Sequence, residues 1–138
     1  MAARTKARRY AFEILFEAQQ RDISPGEVLQ RRGKPKGEEL AEHGHAVRLI
    51  EGVTRHRERI DELLATYAVG WTLDRMPAVD LTVLRIGAFE LLWADDVPDG
   101  VALSEAVALA TEFSTEESPK FVNGLLSRLQ DLKPSLAL

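Results

Sequence analysis

The chain has 138 residues, 45% of them apolar and 29% charged, with a net charge of −4 and no cysteine. That is the size of one ordinary domain with enough apolar residues for a core, and it excludes disulfides and thiolate metal sites. The charge is uneven: residues 1–37 hold nine Lys and Arg against four Asp and Glu, and residues 38–138 hold nine against eighteen. A basic arm on an acidic body points to an anionic partner at one end, nucleic acid or a membrane surface, or to a solvated basic tail. The N-terminus lacks the apolar run of a secretory signal, so a cytoplasmic protein is expected, with no membrane partner.

The first helix is predicted from about Arg4 to Gln20, where Ala7, Tyr10, Ala11, Ile14, Leu15 and Ala18 recur at helical spacing. Ser24-Pro25 pairs an N-cap with a proline at the first helical position and opens a short second helix to about Arg32. Residues 33–37, Gly-Lys-Pro-Lys-Gly, read as a linker and lack the ending of a phosphate-binding loop. From Glu38 to about Val69 the pattern is helical again through Leu40, Val47, Ile50, Val53, Ile60, Leu63, Leu64 and Tyr67. A straight helix of that length, about 48 Å, is long for this chain, so a bend or break is expected near Thr54 to Arg59. Gly70-Trp71 ends it, and Leu73 to Met76 is a short connection.

Ala78 to Trp93 is apolar on nearly every face, interrupted only by Asp80, Thr82, Arg85 and Glu90. A helix apolar all round is a buried one, and this one is too short and too charged to span a bilayer, so it is the expected central helix. Val97-Pro98-Asp99-Gly100 makes a turn, and Ala102 to Phe113 is the next helix. Ser118-Pro119 repeats the N-cap signature and opens a last helix to about Gln130. Gly124 inside it points to close packing against a neighbour. With no convincing strand, the class is all-α, read as one domain over residues 1–138.

The first helix holds the clearest chemical pattern. Arg4, Lys6, Arg8 and Arg9 cluster at its start, and Phe12 and Phe16 continue the same flank, away from the core stripe. Arginine and lysine supply phosphate contacts and aromatic rings supply stacking faces. The same two phenylalanines also fit packing on another helix or the seam of a homodimer. His43 and His45 point about 200° apart on a helix and cannot easily share a metal ion, so they are expected at the surface. Glu90, among apolar neighbours, is either paired with an Arg or exposed to a protein partner. No catalytic spacing is visible, and no cofactor is expected.

Taken together, Val79-Asp80, Val83-Leu84-Arg85-Ile86, Phe89-Glu90-Leu91-Leu92, Ser104-Glu105-Ala106-Val107 and the run Lys120-Phe121-Val122-Asn123-Gly124-Leu125-Leu126 resemble the NusB family of bacterial transcription antitermination factors. Ala7-Arg8, Ala11 and Leu15-Phe16 fit that family's arginine-rich first helix. The resemblance implies a compact all-α bundle of about seven helices in two subbundles, without enzymatic activity. It implies binding of boxA-type single-stranded RNA of ribosomal RNA transcripts together with the ribosomal protein NusE, in an RNA polymerase antitermination complex with other Nus factors. By position, RNA contacts fall on Arg4, Lys6, Arg8 and Phe16, and on Glu117, Lys120 and Phe121. Asp80, expected to be exposed, falls on the ribosomal-protein surface. Phe16 stands where the family often has Tyr, and Glu117 where some members have Asp. A related helical domain occurs fused to RNA cytosine methyltransferases, but no Rossmann-type segment or catalytic Cys is present here. The alternative is a helical scaffold that homodimerises through the first helix and binds no RNA selectively.

Overall fold

The computed structural model describes residues 2–36 and 39–138, with the side chains of residues 39–42 left aside; Gly37, Glu38 and the side chain of Leu40, which the sequence reading used, lie outside the described residues. Six α-helices and two short 3-10 turns make up the described secondary structure. Helix α1 runs Ala3–Arg21 and stops where Asp22 adopts a left-handed conformation (φ 54°), one of the few side chains that tolerate it. Helix α2, Pro25–Arg32, starts as expected: the Ser24 hydroxyl accepts from the Glu27 amide at 3.1 Å, and Pro25 lacks the amide that needs no partner there.

Helix α3 runs unbroken over Glu39–Tyr67, 29 residues or about 44 Å. The expected break near Thr54 is absent, and the Thr54 hydroxyl bonds back to the Ile50 carbonyl within the helix. The length is usable because α3 serves both halves of the bundle, touching α1 and α4 as well as the 3-10 turn Leu73–Arg75 and α6. Helix α4, Ala78–Trp93, is buried at every position from Asp80 to Leu92. It meets α1, α3, α5 (Asp99–Phe113) and α6 (Ser118–Leu132), so one half is built of α1 to α3 and the other of α4 to α6. A second 3-10 turn, Lys133–Ser135, follows.

The glycines that permit close packing are not the expected one. A Cβ at Gly52 would stand 2.2 Å from the Phe89 ring, and one at Gly87 would stand 2.7 Å from a Leu126 methyl. At Gly124 it would meet nothing within 4 Å. Gly124→Ala is therefore expected to stabilise the fold by about 1 kcal/mol through helix propensity alone, read as a higher melting temperature. A lower one would mean that a neighbour does pack there. The Ser118 cap is also corrected. Ser118 is the first residue of α6, its hydroxyl is turned toward Asp80, and no side chain caps the helix.

Candidate nucleic-acid interface

The fold sorts the cations of α1 into one that is buried and several at the surface. The Arg8 Nε donates to Glu90 Oε1 at 2.7 Å and its Nη2 donates to Oε2 at 2.9 Å. Arg8 is 3% exposed and Glu90 1%. His45 Nε2 lies 3.4 Å from the same carboxylate, and Glu105 lies 3.6 Å from Arg8 Nη1. Burial pushes the Glu90 carboxyl up, yet the His45 and Arg8 side chains beside it outweigh that and hold the group below its ordinary value. One open alternative is decided here and two sequence expectations change. Glu90 is the partner of an Arg and not an exposed protein contact. Arg8 is not a surface cation, and a dry bidentate pair is not readily exchanged for phosphate. His45 is buried beside this pair instead of lying at the surface.

The other cations stay outside. Arg4 donates to Asp96 at 3.0 Å, and Arg48 of α3 grips the same carboxylate at 2.6 and 3.0 Å. Arg48 first and Arg4 second hold Asp96 far below the usual carboxylate range. Arg9 pairs with Glu112 and lies over the Phe113 ring, 5.9 Å from its centre. Lys6 is half-buried on the same turn of the helix. Such exposed ion pairs are weak, so a phosphate can replace the carboxylate without large cost.

Phe12 is buried between two rings, Phe113 at 4.8 Å and Phe16 at 5.7 Å, both near parallel. It is thus offered neither to a base nor to a second subunit but packs on another helix, the remaining one of the three readings of that residue. Phe16, at the end of the stack, remains half-exposed. Phe113, the last residue of α5, was legible only as a core position; that it carries the α1 stack depends on how α5 crosses α1.

The α5–α6 corner follows directly. Asp80 is 4% exposed. One of its oxygens accepts from the Ser114 hydroxyl and the other from the Ser118 hydroxyl at 2.9 Å. Ser114 and Thr115 each stand 2.8 Å from the Ser118 oxygen as well. Asp80 therefore pins the corner to α4 and is not the exposed partner contact expected of it. A lysine in its place would bury a charge among hydroxyls and would not leave the fold intact.

Beyond the corner, Glu117 and Lys120 are exposed and Phe121 is half-buried, tilted against Trp71 with ring centres 6.1 Å apart. Arg9 and the Phe12–Phe16 stack thus rest on Phe113 at the end of α5, and Lys120 and Phe121 stand at the start of α6. In the sequence Trp71 marks only the end of a helix; its signal is a large aromatic beside a glycine in a short connection.

A family model described as the NusB family matches residues 5–131. The chain belongs to the NusB family. It is 59% identical over 139 residues to the transcription antitermination protein NusB of Thermobifida fusca (strain YX), with 99% of this chain and 94% of that protein covered. Among solved structures, T. maritima NusB superposes with a TM-score of 0.82 at 32% identity, covering 96% of this chain and 97% of that one. A crystal structure of antitermination factors NusB and NusE in complex with dsRNA superposes with a TM-score of 0.80 at 28% identity, covering 95% and 98%. NusB proteins are transcription antitermination factors and not enzymes. Among the described residues, no helix is long and apolar enough to cross a membrane.

Proposed function

We propose that this NusB-family protein binds boxA-type single-stranded RNA of ribosomal transcripts together with a NusE-type ribosomal protein. In this reading it works in the cytoplasm as part of the RNA polymerase antitermination complex with other Nus factors. The observation that carries the RNA part is the α5–α6 corner: Phe113 at the end of α5 carries Arg9 and the Phe12–Phe16 stack of α1, and the exposed Lys120 and half-buried Phe121 stand at the start of α6. Cations that give up weak carboxylate pairs and rings with a free face are what a single strand requires. The NusB–NusE–dsRNA complex supports RNA and a NusE-type protein as the two classes of partner. The phosphate contacts are Arg4, Lys6, Arg9 and Lys120, the stacking faces are Phe16 and Phe121, and Glu117 orients the strand at the start of α6. Arg8 supports the helix from beneath. Asp80, being buried, leaves the ribosomal-protein surface to residues around it.

Four neutralised phosphates on a single strand set a slope of log K against log salt of roughly −3. Arg9→Ala is expected to make that slope shallower by just under one and to weaken all sequences alike. Phe16→Ala is expected to lose about 1–3 kcal/mol of stacking with the slope nearly unchanged. Titration of a boxA-type RNA at three salt concentrations checks both. If Phe16→Ala leaves RNA affinity intact and breaks a dimer instead, the scaffold reading takes its place.

A further inference from the structure

Val69 and Trp71, in the connection that follows α3, are 84% and 47% exposed, although both are large and apolar. Val69 lines a groove of about 410 Å³ between the end of α3 and the outer face of α6, together with Tyr67, Lys120, Phe121, Gly124 and Arg128. Trp71 meets it at Phe121. Gly124 opens the groove's wall. Glycine in mid-helix costs stability, and no neighbour packs on this one, so close approach of another helix does not account for it. An unobstructed groove does.

Lys120 and Arg128 stand four residues to either side of Gly124, about 12 Å apart along the helix axis. The Arg128 guanidinium lies over the Tyr67 ring at 5.6 Å, and among the described residues no carboxylate pairs with either cation. Glu117 is also in the lining, and it further borders the adjoining hollow beside Trp71 and Thr115. That leaves the stretch from Lys120 to Arg128 as the cationic part. We propose that this groove is a second contact for single-stranded RNA, with bases against Trp71 and Phe121 and backbone phosphates on Lys120 and Arg128. The inference rests on the RNA reading above and extends the strand's path past the start of α6. Planar faces beside unpaired cations match the base and phosphate of one strand. An apolar protein segment would cover the rings and leave both cations uncompensated.

The test is anisotropy with a labelled boxA-type single-stranded RNA and the full chain, for wild type, Trp71→Leu, Trp71→Phe, Arg128→Gln, Gly124→Leu and Phe16→Ala. Gly124→Leu is the decisive variant: leucine is the better helix former, so the protein melts at or above wild type while the groove is filled. RNA affinity is expected to fall about tenfold for Gly124→Leu and Trp71→Leu and to be largely kept by Trp71→Phe. Arg128→Gln is expected to weaken binding several-fold, with a salt slope shallower by just under one. If wild type binds and Phe16→Ala weakens binding while the groove variants bind as wild type, this inference falls and the RNA reading stands. If the groove variants weaken binding of NusE and leave RNA affinity unchanged, the groove is a protein site and the inference is overturned. A wild type that binds no RNA overturns both.

Discussion

Arg8→Ala is expected to destabilise the fold by about 3–5 kcal/mol, the cost of stranding one partner of a buried ion pair. Glu90 is left in the core with His45 as its remaining polar neighbour, and nothing from solvent reaches it. The carboxyl, held below its ordinary value by His45 and Arg8 in the native protein, then loses the charged partner that offset its burial. Replacing both residues, Arg8→Met with Glu90→Leu, is expected to recover most of the loss, because an apolar pair of similar volume needs no partner. Urea unfolding of the two variants reads this directly. A single variant within half a kcal/mol of wild type would show that water reaches the pair.

The same pair sets part of the acid response. The folded-state pKa of Glu90 lies below its unfolded value, so the unfolded chain takes up the proton more readily. Its contribution is complete above the unfolded value, near pH 4.5, and is lost as pH falls through the folded value. Glu90→Leu with Arg8→Met should flatten that part of the stability profile.

Leu84→Ala and Leu91→Ala are each expected to cost about 2–5 kcal/mol. Both side chains are fully buried on α4, the helix that touches α1, α3, α5 and α6. A cavity there is walled by neighbours on all sides and collapses poorly, which puts these sites toward the upper part of that range. Thermal melts within half a kcal/mol of wild type for both variants would place the core elsewhere.

Much of this protein is legible in its sequence. The helices follow from apolar spacing, the centrality of α4 from its lack of a polar face, and the start of α2 from Ser24 and Pro25. These are local properties, set by residues within a turn or two of one another. The ordered motifs from Asp80 to Leu126 likewise pointed to the family before any fold was in view.

What only the tertiary structure decided is which groups meet across it. Arg8 and Arg9 are adjacent in sequence, yet one is buried against Glu90, 82 positions away, and the other lies at the surface. Asp80 looks like any acidic residue of a first helical turn until the α5–α6 corner closes over it with two serine hydroxyls. Gly52 and Gly87 admit a ring and a methyl group where Gly124, in the middle of α6, faces open space. Periodicity says which face of a helix turns inward, because burial of apolar surface is non-directional and sums along the chain. Hydrogen bonds and ion pairs are directional and short-ranged, so their partners are fixed only once the helices have taken their places.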